Sequence, residues 1–83
     1  MSRKREKILN REGKYYICGL YSDGRKGRTR EYYGTLFGAE KEVLRLYQFG
    51  EIYGDELAVF DDENYIIAER VRGRWLHYKQ RGE

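Results

Sequence analysis

The sequence contains no proline and only one cysteine, Cys18, together with one histidine, His77. A single cysteine cannot form an intramolecular disulfide, and one Cys with one His does not make a metal site. No apolar run approaches the roughly 20 residues needed to cross a membrane, and the charged N-terminus carries no signal-peptide pattern. We therefore expect a soluble, intracellular (cytoplasmic) protein without a cofactor, a metal ion or a membrane partner.

Uncharged polar side chains are also scarce, because Asn, Gln, Ser and Thr occur only twice each. Charged residues make up 37% of the chain and take their place. Few amides and many charges are typical of thermophile proteins, although the absence of proline points the other way. The composition therefore leans toward a thermophilic source.

The length of 83 residues allows one small domain. Such a chain buries only roughly 60–65% of its unfolded surface, which excludes a deep cleft between domains. Aromatic residues make up 16% of the chain, whereas disordered chains contain few. Residues 1–7 are basic and lack an apolar pattern, so we predict a flexible basic arm there and one folded domain over 8–83.

The formal net charge of +3 conceals three blocks of different sign. Residues 1–30 contain ten basic and three acidic side chains, whereas residues 31–69 contain two basic and ten acidic ones. Residues 70–83 contain five basic and one acidic side chain. A nucleic-acid partner suits the basic blocks, and a basic protein surface suits the acidic one.

Hydrophobic spacing predicts one helix over residues 36–49, which Thr35 can cap at its start and Gly50 can end. Short aromatic and aliphatic runs bounded by Gly, Asp and Asn predict strands at 14–21, 28–35, 56–60, 65–71 and 74–79, with a short extra strand at 8–9. Arg72-Gly73 fits a two-residue hairpin turn. The order ββαβββ predicts an α+β domain, in which one helix packs on an antiparallel sheet.

The first hairpin has a glycine-rich, basic connection at Gly24–Arg28. It precedes a strand rather than a helix, so it fits neither a Walker loop nor a dinucleotide-binding loop. Guanidinium and ammonium groups suit phosphate oxygens and guanine edges, which makes this tip a candidate nucleic-acid site. The basic residues of this tip and of the strand that follows it are Arg25, Lys26, Arg28 and Arg30. A solvated loop kept polar by its charges is an equally good interpretation.

The second hairpin adds Arg72 and Arg74, next to Trp75. Trp75 and Tyr78 alternate along the strand, so one of them is expected in the core and the other outside. Adjacent tyrosines such as Tyr32 and Tyr33 likewise point to opposite faces. We take Tyr32 and Trp75 as candidates for stacking on bases, with cross-strand packing in the core as the alternative.

No residue pattern predicts an enzyme. Cys18 and His77 lie far apart in the sequence, and we expect a buried thiol and a surface imidazole rather than a catalytic pair. The acidic residues Asp61, Asp62 and Glu63 lack the spacing of a calcium loop. They are instead candidates for contact with a basic protein partner.

Residues 15–47 resemble the three-strand-plus-helix DNA-binding domain shared by plant AP2 factors and phage-type tyrosine integrases. The matching stretches are Tyr15-Tyr16-Ile17, Ser22-Asp23-Gly24-Arg25-Lys26 and Arg30-Glu31-Tyr32-Tyr33-Gly34-Thr35-Leu36, which leads into the helix. The resemblance covers about two fifths of the chain and implies that the sheet enters the major groove. It assigns DNA contacts to Arg25, Lys26, Arg28 and Arg30. The acidic hairpin and basic strand after the helix depart from that family.

The first functional hypothesis is a non-enzymatic protein that binds DNA or RNA, from a virus or another mobile element. The alternative is a protein-interaction module, such as a phage inhibitor of a host nucleic-acid enzyme, which acts through its acidic region 51–63. A third interpretation is a homodimeric structural protein that pairs through its exposed strand edge and its aromatic residues, so both a monomer and a homodimer remain open.

Overall fold

The computed structural model describes residues 8–78 and contains five strands and one complete helix in the predicted order. The strands are β1 (Glu12–Leu20), β2 (Arg30–Thr35), β3 (Glu56–Phe60), β4 (Ile66–Val71) and β5 (Arg74–His77), and the helix is α1 (Leu36–Gln48). This confirms the α+β class with one helix and an antiparallel sheet. The predicted basic arm, residues 1–7, lies outside the described residues.

Helix α1 begins and ends where the sequence predicts. The Thr35 hydroxyl accepts a hydrogen bond from the Gly38 N–H at 3.0 Å, which satisfies one free donor of the first turn. Leu36, Ala39 and Val43 are completely buried. Gly50 follows the helix with φ +75°, a conformation that glycine adopts without strain.

The sheet has the strand order β2-β1-β3-β4-β5, and every neighbouring pair is antiparallel. Because strand direction alternates, three connections lie at one end of the sheet, which we call the loop end. They are the β1–β2 loop (21–29), the α1–β3 connection (49–55) and the β4–β5 turn (72–73). The β3–β4 turn (61–65) lies at the opposite end, which we call the turn end.

Residues on the two faces of the sheet belong to separate apolar clusters. On the helix face, Tyr15, Ile17, Leu57 and Val59 pack with the buried side of α1. On the helix-free face, a small cluster consists of Cys18, Ala58 and Phe60, with Tyr16, Leu20 and Ile66 around it. Both faces of β1 and β3 are therefore buried, as expected for central strands.

The predicted strand at residues 8–9 is wrong, because Ile8 and Leu9 are helical. The Arg11 N–H donates to the Ile8 carbonyl at 3.2 Å and turns the chain into β1. Ile8 and Leu9 both pack against the helix-side cluster. Consecutive strand residues would point to opposite faces, so a helical turn is the way for both side chains to reach one core.

The α1–β3 connection crosses β1 at very short range. A Cβ placed on Gly19 would lie 2.0 Å from the Tyr53 carbonyl oxygen, and one on Gly54 would lie 2.8 Å from the Leu20 nitrogen. The Asp55 N–H donates to the Leu20 carbonyl at 2.7 Å in the same place. Glycine at positions 19 and 54 thus allows the two backbones to touch.

Replacing Gly19 by alanine should destabilise the fold by about 3 kcal/mol, because the added methyl group meets backbone atoms that cannot rotate away. Gly13 is the matched control, since it also lies in β1 and a Cβ there meets nothing within 4 Å. Urea unfolding of Gly19→Ala and Gly13→Ala measures both effects. Equal stability of the two variants would contradict the close crossing.

Candidate nucleic-acid interface

The β1–β2 loop is a tight, hydrogen-bonded structure. The Gly24 N–H donates to the Tyr21 carbonyl at 2.9 Å, and the Tyr21 N–H donates to the Arg25 carbonyl at 2.9 Å. Gly24 has φ +89°, which glycine allows at low cost. The Arg25 side chain is exposed but ion-paired with Asp23 at 2.7 Å, and it lies over the Tyr21 ring. The loop therefore has a defined shape, and Arg25 already has an acidic partner.

Two of the predicted phosphate contacts lie against the protein itself. The Lys26 ammonium is 4.1 Å from the centre of the Phe60 ring and donates to the Asn64 side-chain oxygen at 3.1 Å. Arg30 is 3.6 Å from the Glu51 carboxylate and donates to the Glu51 carbonyl at 3.3 Å. A phosphate would have to compete with these contacts for Lys26 and Arg30.

The other three predicted basic residues, Arg28, Arg72 and Arg74, are exposed. Within residues 8–78, none of them has a carboxylate at ion-pair distance. Arg72 and Gly73 have φ +53° and +78°, the geometry of the predicted two-residue hairpin turn. Arg28 and Arg72 lie in connections at the loop end, separated by about three strand spacings, or roughly 15 Å.

The two predicted stacking residues, Tyr32 and Trp75, both pack against the helix-side cluster. The Tyr32 hydroxyl lies so close to Gly38 that a Cβ there would be 2.2 Å from it. The Arg70 guanidinium lies 5.8 Å from the Trp75 ring centre. The exposed tyrosines nearest to Tyr32 and Trp75 in the sequence are Tyr33 and Tyr78. The Tyr78 hydroxyl donates a hydrogen bond to the Glu69 carboxylate at 2.6 Å.

Sequence reasoning missed two aromatic residues at the loop end. Phe49 and Tyr53 are 70% and 68% exposed, and both belong to the α1–β3 connection. Ile52, between them, is buried and holds the connection against the core. A signal was present, because Phe49 lies outside the helical spacing of the apolar stripe and Tyr53 precedes Gly54 in a turn.

The acidic turn uses one of its carboxylates to hold its own shape. Asp61 accepts hydrogen bonds from the Glu63 and Tyr65 N–H groups at 3.0 and 2.8 Å, as in an Asx turn. Asp62 and Glu63 are exposed at the turn end. They line an open depression of about 270 Å³ together with Arg11 and Lys14, so both signs of charge meet there.

The helix-free face, which the integrase resemblance would direct into the major groove, carries three glutamates. Cross-strand partners share a face, and this one holds Glu31, Glu56 and Glu69. Burial and the neighbouring Glu69 carboxylate raise the pKa of Glu56. Lys14 is 3.0 Å from Glu31 on the same face, so the adjacent Glu56 and Glu69 carboxylates are the part that is unsuited to lie against DNA phosphates.

The only thiol and the only imidazole lie on opposite faces of the sheet. Cys18 is completely buried in the helix-free cluster. His77 is on the helix face, where its Nε2 atom is 2.6 Å from Glu40 Oε2. The expected surface position of His77 is wrong, because the His77 and Glu40 side chains are only 13% and 6% exposed. Local sequence patterns do not indicate this pair, because 37 residues separate Glu40 from His77.

Comparisons with known protein families, curated proteins and solved structures returned no match. Across residues 8–78, no helix is long and apolar enough to span a membrane. The same stretch contains no group of three or more His, Cys, Asp or Glu side chains that could hold a metal ion.

Replacing His77 by alanine should destabilise the protein by about 2 kcal/mol, because a buried carboxylate loses a short hydrogen bond. Glu42→Gln is the control, since it breaks the solvent-exposed Glu42–Arg45 pair and should change stability little. Thermal or urea unfolding compares the two. An unchanged His77→Ala stability would show that the pair carries no net stabilisation.

The Cys18 thiol should not react with a thiol reagent in the native protein at pH 8. Burial raises the pKa of Cys18, outweighing the opposing effects of Lys26 and Thr29, and the sulfur is inaccessible. Labelling should therefore proceed only through unfolding and should accelerate with urea. Rapid native labelling, at the rate of a free thiol, would contradict the burial of this face.

Proposed function

We propose that this protein is a non-enzymatic nucleic-acid-binding protein that holds phosphates at its loop end. The observation that carries the proposal is the common position of two basic hairpin connections. The β1–β2 loop contains Arg25, Lys26 and Arg28, and the β4–β5 turn contains Arg72, followed by Arg74. The acidic β3–β4 turn connects the opposite ends of β3 and β4, and Lys26 is the basic residue of the loop that reaches across to it, through its hydrogen bond to Asn64.

The ion pairs around the loop end also favour this end as the surface that binds phosphates. The two acidic residues of the neighbouring α1–β3 connection are both engaged within the protein. Glu51 interacts with Arg30, and the Asp55 carboxylate accepts the Ser22 N–H at 2.7 Å. Arg28, Arg72 and Arg74 are exposed and have no carboxylate partner among the residues described. Unpaired guanidinium groups are available to replace the counterions around a phosphate backbone.

This arrangement favours docking through the loop end over docking through a sheet face. The resemblance to the integrase-type domain implies a sheet face in the groove, but the adjacent Glu56 and Glu69 carboxylates on the helix-free face would repel phosphates. At the loop end, Arg25 can exchange its exposed Asp23 partner for a phosphate at low cost. The proposal therefore keeps the predicted basic residues and changes the surface that approaches the nucleic acid.

The double variant Arg28→Gln/Arg72→Gln should weaken binding to DNA or RNA and reduce the slope of log K against log salt by about 1.5, as expected for two lost phosphate contacts. Lys14→Gln/Lys41→Gln is the matched control, because it removes the same charge away from the loop end. Fluorescence anisotropy at several salt concentrations measures both. The proposal fails if the wild type binds no nucleic acid at ~50 mM salt, where charge-driven binding is strong, or if both double variants lose affinity equally.

A further inference from the structure

Two of the most exposed aromatic side chains in the protein lie beside the proposed phosphate contacts. Phe49 and Tyr53 are 70% and 68% exposed and belong to one seven-residue connection, 49–55. Single exposed aromatics are ordinary, but two in one short connection are a local concentration of apolar surface. Neither side chain is buried in the core, so both rings are accessible to a ligand.

The connection that carries them is firmly held. Ile52 is buried in the helix-side cluster, and the Glu51 N–H donates to the Leu46 carbonyl at 2.8 Å. The backbone at Tyr53 lies against Gly19 and Gly27, and a Cβ on Gly27 would be 3.2 Å from the Tyr53 oxygen. Rings on an anchored backbone lose little conformational freedom when they bind a flat ligand.

The same contact joins the aromatic connection to the basic loop. Gly27 lies between Lys26 and Arg28, so the Tyr53 backbone is one residue away from Arg28, which has no carboxylate partner within residues 8–78. On the other side, the Arg45 guanidinium lies 6.0 Å from the Phe49 ring centre. The Phe49 ring thus lies near Arg45, which also pairs with Glu42 at 2.9 Å, and the Tyr53 backbone lies next to the segment that carries Arg28.

We infer that Phe49 and Tyr53 stack on unpaired bases and that the ligand is single-stranded nucleic acid. This inference rests on the proposed nucleic-acid binding and names its substrate class. Bases in a duplex are stacked on each other and present no free π-face, whereas those in a single strand can stack on aromatic side chains. The neighbouring guanidinium groups supply charge complementarity to the backbone phosphates.

The test compares a fluorescein-labelled 12-nucleotide oligothymidine with a 12-base-pair duplex. Phe49→Ala and Tyr53→Ala should each weaken binding of the single strand by about tenfold, as expected for one lost stacking contact. They should leave duplex binding and the salt slope unchanged, because no charge is lost. Phe37→Ala is the matched control, since Phe37 is 50% exposed at the other end of α1. It should bind like the wild type.

A spectroscopic variant gives a second measurement that does not depend on loss of function. Tyr53→Trp keeps a flat aromatic ring, and its indole emission should be quenched by the oligothymidine beyond any change from Trp75 in the wild type. Stacking produces this quenching, whereas a contact to phosphate alone does not.

The experiments distinguish a failure of the stacking inference from a failure of the proposed nucleic-acid binding. If Arg28→Gln/Arg72→Gln weakens binding but Phe49→Ala, Tyr53→Ala and the Tyr53→Trp emission show no effect, the stacking inference is overturned and nucleic-acid binding stands. Equal affinity for duplex and single strand leads to the same conclusion. If the wild type binds neither oligonucleotide at ~50 mM salt, the proposed function fails and the stacking inference fails with it.

Discussion

The contact on which the rest of the fold depends is the crossing of the α1–β3 connection over β1. Because β3 pairs with β1 and not with β2, the chain that leaves the helix must pass over a central strand to enter the sheet. Gly19 and Gly54 allow the two backbones to meet, and the Asp55 N–H fixes the register by donating to the Leu20 carbonyl. This crossing sets the position of Tyr53, closes the loop end and brings the β1–β2 loop against the rest of the chain.

The thin core is supplemented by contacts of long side chains. The Lys26 ammonium lies over the Phe60 ring, next to the completely buried Cys18 and Ala58 on the helix-free face. The Glu40–His77 pair joins the helix to β5, the edge strand farthest from β2. Chains of this size bury too little surface for a large apolar core, so such contacts contribute a larger share of the stability.

Much of the fold could be predicted from local patterns. Hydrophobic spacing predicted α1, and Thr35 and Gly50 marked its two ends. Arg72-Gly73 marked the β4–β5 turn in the same way, because the conformations of caps and tight turns depend on local sequence. The strand limits agreed to within about two residues, the variation ordinary at element ends. The predicted strand at Ile8 and Leu9 was wrong because two apolar residues are too few to distinguish a helical period from a strand period.

The candidate site was less predictable, because its geometry depends on contacts between distant segments. Alternation along a strand assigns Tyr32 and Tyr33 to opposite faces but does not say which face the helix covers. Internal contacts of Arg25, Arg30 and Lys26 reduce the number of basic residues that are available to bind phosphate. Of their three polar partners, only Asp23 lies close in the sequence to the basic residue that it contacts. To predict that Phe49 and Tyr53 are exposed at the loop end, one would need to know where the α1–β3 connection crosses the sheet.

The alternation of strand directions also determines where the described chain starts and stops. Arg11 precedes β1 and Tyr78 follows β5, so both positions lie at the turn end, and within residues 8–78 the loop end consists of internal connections. A ligand at the loop end would therefore meet only chain connections of the described segment, all of which are held at both sides by elements of the same domain.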